Sequence, residues 1–134
     1  MKHFFLLLFI FLLKTSFAQE ENSLPYVVQE PKYDTAPQFP GGAKAMLKYF
    51  EDSIRYPEPE KAKGLQGNVY VKFIVTKKGK VIDIKILNGV PNAPNLAKEA
   101  VRVLQNMPKW IPAIKKRKPV EAEYYLSIPF KLKK

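Results

Sequence analysis

The sequence predicts an α+β fold, a two-layer sandwich of two helices on a three-stranded antiparallel sheet, in the order helix, strand, strand, helix, strand. Three observations carry this. Val69, Val71, Phe73 and Val75 alternate with Tyr70, Lys72, Ile74 and Thr76, and after Lys77-Lys78-Gly79-Lys80 a second run returns from Val81 to Leu87, the pattern of a hairpin. Apolar residues at helical spacing flank that hairpin on both sides. The last run, Val120 to Phe130, again alternates with a period of two, as one strand face packed on a core does.

Taken in order, the chain opens with Lys2, a wholly apolar run from Phe4 to Leu13, and Ser16-Phe17-Ala18. These are the parts of a signal peptide cleaved after Ala18. The alternative, a retained membrane anchor, meets a length problem: ten apolar residues rise about 15 Å as a helix, half of a hydrocarbon core of about 30 Å. Residues 1–18 are therefore read as a signal peptide and the product as periplasmic. Losing Lys2 and Lys14 leaves 21 basic residues against 12 acidic ones, a net charge of +9. Such a surface favours acidic partners, but an exported chain does not meet nucleic acid, and none is expected as a partner. With no cysteine anywhere, the domain must hold by its core alone.

Residues 19–38 read as an extended linker, since Pro25, Pro31 and Pro37 interrupt any helix; Tyr26 to Val28 is its one candidate strand. The domain then runs over 39–134. Phe39-Pro40-Gly41-Gly42 is a turn opening a helix from Ala43 to Ile54, with Met46, Leu47, Phe50 and Ile54 as its apolar stripe. Tyr56-Pro57 ends it, and Pro59 is expected to prevent a restart. In the first hairpin, Ile82, Ile84 and Ile86 are expected to share a face. Asn92 or Asn95 is the candidate cap of the second helix, whose stripe is Leu96, Ala100, Val103, Leu104 and Met107; Pro108 stops it.

Trp110, beside Met107 and Ile111, reads as a core anchor, with a recognition aromatic as the alternative. The basic run Lys115 to Lys118 makes an exposed turn. If the last strand lies antiparallel beside the first, the second helix makes a right-handed crossover between parallel strands, and the sheet order is second, first, third. Pro129 has no N–H for a ladder, which suits an edge. Pairing there would use Val120, Glu121, Ala122, Glu123, Tyr124, Tyr125, Leu126 and Ser127, the candidate partner-binding residues.

The residues offer little for catalysis. The one histidine, His3, leaves with the signal peptide, so no imidazole or thiol remains for base, nucleophile or metal-ligand work. Glu121 and Glu123 are read as edge protection rather than an acid and base pair. No catalytic residue, metal site or cofactor is expected, and the chain is not read as an enzyme.

The motifs taken together resemble the C-terminal domain of TonB proteins, in the form common among Bacteroidetes-type bacteria. The resemblance rests on Phe39-Pro40-Gly41-Gly42, Tyr56-Pro57, Gly79, Glu99-Ala100 with Arg102, Met107-Pro108-Lys109-Trp110 with Pro112, and Pro119-Val120 leading to Tyr125, Ile128 and Phe130. It spans Ala36 to Leu132. It implies a periplasmic module whose last strand pairs with the TonB box, a short extended segment of outer-membrane TonB-dependent receptors, in energised uptake of siderophores, vitamins or glycans. Two departures stand out. Arg117 replaces the family's usual glycine, and the signal peptide replaces an uncleaved inner-membrane helix; contact with the motor proteins ExbB and ExbD is implied only if the N-terminus is retained. The alternative is a periplasmic structural or adaptor protein that uses the same fold on another protein or the cell wall. A homodimer through the last strand is the remaining partner reading, because an exposed edge templates any strand.

Overall fold

The structure is a computed structural model and describes residues 32–133. The expected signal peptide, the candidate strand at 26–28 and most of the expected linker lie outside those residues. The elements are α1 (Gly42–Ser53), α2 (Glu58–Ala62), β1 (Gly67–Val75), β2 (Val81–Asn88), α3 (Pro94–Gln105), β3 (Ala113–Lys115), β4 (Lys118–Val120) and β5 (Ala122–Phe130). The main sheet has the order β2-β1-β5 and is antiparallel throughout, while β3 and β4 form a separate hairpin. This is the expected α+β sandwich with two small additions, α2 and the β3–β4 hairpin.

The core follows from strand alternation. Val69, Val71, Phe73 and Val75 of β1 are fully buried, and Ala122, Ile128 and Phe130 of β5 are buried beside them. Each of these valine, isoleucine and phenylalanine side chains is worth about 1.5–3 kcal/mol when taken out of water. From α3, Leu96, Ala100, Val103 and Leu104 close the layer. Phe50 joins it from α1, where the buried side is set by Ala45, Met46, Tyr49 and Phe50. Leu47 was expected in that stripe, but it lies a third of a turn round the helix and is 56% exposed.

Trp110 plugs one end of the sandwich. Its ring is 3% exposed and meets Phe73, Phe39 and Tyr124 edge-on, so it is a core anchor. Its backbone N–H donates to the Gly79 carbonyl at 2.8 Å. Gly79 has φ +84°, and a Cβ there would fall 2.0 Å from the Trp110 carbonyl oxygen. Only glycine fits this turn.

Several local expectations change. Asp83 takes a left-handed φ of 51°, and the pairing shifts there so that Val71 faces Ile86 but Ile74 faces Ile82. This bulge turns Ile82 to the outer face, away from Ile84 and Ile86. Pro59 does not block a helix: α2 forms with Pro59 in its first turn, where a missing N–H costs nothing. Neither Asn92 nor Asn95 caps α3, whose N-cap is Ala93. The buried Glu60 carboxylate serves instead, accepting from the Asn95 backbone at 2.9 Å and side chain at 3.2 Å. Burial pushes that carboxyl up, but the Asn95 donors and Lys63 outweigh it and hold it below the usual carboxylate range.

The helical layer is tied together by Glu99. Its carboxylate accepts from Arg102 at 2.8 and 2.7 Å and from the Arg55 backbone at 2.7 Å, and Arg102 also donates to the Ser53 carbonyl at 2.8 Å. Burial pushes the Glu99 carboxyl up, yet these donors hold it net low. The Tyr49 hydroxyl bonds the Val103 carbonyl at 2.7 Å, joining α1 to α3; burial raises its pKa above the ordinary value. Residues near the expected linker's end are also docked. Thr35 and Gln38 exchange backbone hydrogen bonds with Ile114 and Ile111.

Candidate functional site: the open edge of β5

A three-stranded sheet has two edges, here β2 and β5, and their geometry separates them. The β2 edge is broken by two register irregularities and the left-handed Asp83, which blunts it for pairing. β5 keeps an unbroken register with β1, from Ala122 opposite Val75 to Phe130 opposite Gly67. Among the described residues no strand occupies its other side. Among the described residues the edge is therefore long, regular and unpaired.

The polar groups on that edge follow from Pro129, which stands opposite Asn68. A ladder accommodates proline with its nitrogen turned away from the neighbouring strand. Alternation then turns the backbone groups of Ser127, Tyr125 and Glu123 to the same open side. These residues also carry exposed side chains, while Tyr124, Leu126 and Ile128 face the core. Tyr125 is 61% exposed, and its hydroxyl approaches Glu123 Oε1 at 3.5 Å. Glu123 also pairs with Lys72 of β1 at 3.6 Å, a partly exposed contact of small energetic weight.

The candidate partner-binding residues do not all belong to this edge. Ala122 through Ser127 lie in β5, but the expected single strand from Val120 to Phe130 breaks at Glu121. Val120 belongs to β4 and pairs with Ala113, so its position is set by the small hairpin. Sequence reasoning missed Tyr70, 44% exposed on β1 and opposite Ser127. Setting the predicted β1 and β5 side by side in register is the signal that finds it.

The signature residues are structural. Phe39 is buried against Trp110 and Tyr49; Pro40, Gly41 and Gly42 lead into α1, with Gly41 as its N-cap at φ 92°. Tyr56 packs edge-on against Phe130 and bonds the Leu65 carbonyl, and Pro57 is the N-cap of α2. Met107 accepts from the Trp110 indole at 3.4 Å, and Pro108 and Pro112 bracket the crossing between α3 and β3. Among the described residues, no cluster of histidine, cysteine or acidic side chains is arranged to hold a metal. No helix among them is long and apolar enough to cross a membrane.

The family model for the C-terminal domain of Gram-negative bacterial TonB proteins matches residues 52–132, which takes in the whole sheet, α2, α3 and the β3–β4 hairpin. The solution structure of the Pseudomonas aeruginosa TonB C-terminal domain is similar at 27% identity and a TM-score of 0.51, over 60% of this chain and 80% of that one. Two solution structures of the Helicobacter pylori TonB C-terminal domain are 22% identical with TM-scores of 0.48. They match over 71% and 68% of this chain and 88% and 94% of theirs. No curated protein matches the chain.

Proposed function

The chain belongs to the family of Gram-negative bacterial TonB C-terminal domains, and on that premise we propose that it binds the TonB box of outer-membrane TonB-dependent receptors along the free edge of β5. The single observation that supports this most is the unbroken nine-residue register of β5 with β1, with no strand among the described residues on its other side. A short extended segment added there gains main-chain hydrogen bonds for affinity, and contacts with Tyr125 and Tyr70 for register. The role is binding in energised transport of siderophores, vitamins or glycans, without catalysis.

The apolar run and Ser16-Phe17-Ala18 support export with cleavage after Ala18. The product is then a periplasmic module, and contact with ExbB and ExbD requires a retained N-terminus. Sequencing the native protein tests this: Gln19 as first residue is expected, and Met1 overturns it.

Ser127→Pro tests the edge itself. Position 127 shares the outward phase of Pro129, so the variant folds while losing one edge donor. Its Kd for a synthetic TonB-box peptide rises at least about tenfold, the scale of one lost buried hydrogen bond. Neutralising Lys131 and Lys133, beyond the edge, changes it by less than about twofold; equal effects overturn the reading.

A further inference from the structure

Val75, Val81 and Ala122 mark one end of the three-stranded sheet. The β1–β2 turn there carries Lys77, Lys78 and Lys80, and the bond between Gly79 and Trp110 brings Lys109 alongside. Lys78, Lys80 and Lys109 line one shallow concavity with Met107 and Pro108. The β3–β4 hairpin, just before Ala122, adds the run Lys115 to Lys118. Eight cations thus gather at one end against two carboxylates, Asp34 and Glu121. Of the next acids along the sheet, Glu123 is already paired with Lys72, and Asp83 lies in the β2 bulge.

Five of these cations serve no ion pair within the described residues: Lys77, Lys78, Lys80, Lys109 and Arg117, all of them exposed. They come from three separate segments and do not converge on an enclosed pocket. Such a spread of charge matches a laterally extended anionic surface better than a single bound anion. Ile111, 51% exposed at the same end, adds an apolar contact.

The path of the chain fixes the hairpin in place at this end. It joins the packed unit at this end, where Asp34 and Thr35 bond Ile114 and the Asp34 carboxylate accepts from the Lys116 N–H at 2.8 Å.

We propose that this basic end docks on the anionic phospholipid headgroups of a bilayer. The contact is electrostatic, uses the β1–β2 turn, Lys109 and the β3–β4 hairpin together, and leaves the β5 edge from Glu123 to Ser127 clear. It does not depend on receptor binding.

The test uses the full chain as isolated from cells and vesicles containing about one third phosphatidylglycerol, a fraction chosen so that lateral charge is dense at the surface. The variant Lys77→Gln/Lys78→Gln/Lys80→Gln/Lys109→Gln removes four exposed cations. Its control, Lys44→Gln/Lys61→Gln/Lys63→Gln/Lys98→Gln, removes four exposed cations elsewhere. Both keep the same N-terminus. Each cation at an anionic surface contributes about fivefold in affinity. The basic-end variant therefore binds the vesicles at least about 30-fold more weakly even if only two of the four reach the headgroups, and the control loses less than about fivefold. Binding of the unaltered chain also falls steeply between about 0.05 and 0.3 M salt, as screening shortens from roughly 14 to 6 Å. Equal losses in both variants overturn the proposal, as does equal binding to vesicles of pure phosphatidylcholine. Salt-sensitive capture of an acidic peptide or anionic cell-wall polymer, without binding to the anionic vesicles, also overturns it and assigns the end to that partner.

Discussion

Trp110 and Gly79 are locked together across the end of the sandwich: the Trp110 N–H donates to the Gly79 carbonyl at 2.8 Å, and a Cβ on Gly79 would lie 2.0 Å from the Trp110 oxygen. The contact joins the β1–β2 turn to the chain that leads from α3 into β3. Trp110 in turn packs on Tyr124 of β5, so the same contact ties the turn to the core face of that strand.

Gly79→Ala therefore costs at least about 2 kcal/mol, because the backbone must move and φ +84° strains any side chain. Gly89, with nothing within 4 Å of an added Cβ, is the matched comparison, and Gly89→Ala changes stability by less than about 0.5 kcal/mol. Urea unfolding midpoints measure both. Equal effects would show that the Gly79 to Trp110 contact is not tight.

Trp110→Phe separates a core role from a recognition role. Loss of the indole leaves a gap among Phe39, Phe73 and Tyr124 and lowers stability by roughly 1–3 kcal/mol. The Kd for a TonB-box peptide stays within about twofold, since the ring is buried on the core face of β5, against Tyr124, and reaches none of the outward groups of the edge. Calorimetric binding beside thermal unfolding distinguishes the two.

The β3–β4 turn stores strain that glycine relieves. Lys116 and Arg117 have φ of 50° and 66°, the paired positive values of a two-residue hairpin loop. Arg117→Gly raises stability by about 0.5 kcal/mol or more, the left-handed penalty exceeding the entropy that glycine adds to the unfolded chain. Arg117→Val, β-branched, lowers it. Urea midpoints with unchanged slopes report the sign.

Much of this was legible in the sequence, and the exceptions have local causes. The alternation of β1 and β5 follows directly from side chains that point to opposite faces, and it led to the right sheet order. The phase of β2 was hidden because Asp83, and not a glycine, takes the left-handed bulge position. α2 was hidden because Pro59 reads as a breaker unless the helix start is known. The β3–β4 hairpin lacks the Asn-Gly type of turn that announces one, so β4 and β5 read as a single strand through Glu121. The pairing of Thr35 and Gln38 with Ile114 and Ile111 is long-range, and no periodicity reveals it.

Acid weakens the helical layer through Glu99. Its carboxyl is held below the ordinary value of 4.5 by Arg102 and the Arg55 N–H despite burial, so the unfolded chain takes up that proton first as pH falls. The stabilisation is complete above about pH 4.5 and is lost as pH drops through the lower folded value. Glu99→Gln is less stable than the unaltered chain at pH 7, and the gap between them narrows below about pH 4.5. Urea midpoints at pH 7, 4.5 and 3 follow the gap; a constant gap contradicts the linkage.

Recognition along the open edge of β5 is read out residue by residue by amide mapping. Titrating a synthetic TonB-box peptide onto the isotope-labelled chain shifts the amides of Glu123, Tyr125 and Ser127 the most, with smaller changes at Tyr70 across the pair. It leaves β2 from Ile82 to Leu87 in place. Saturating peptide with no shift between Ala122 and Ser127, or with the largest shifts along β2, rules out the β5 edge as the recognition surface.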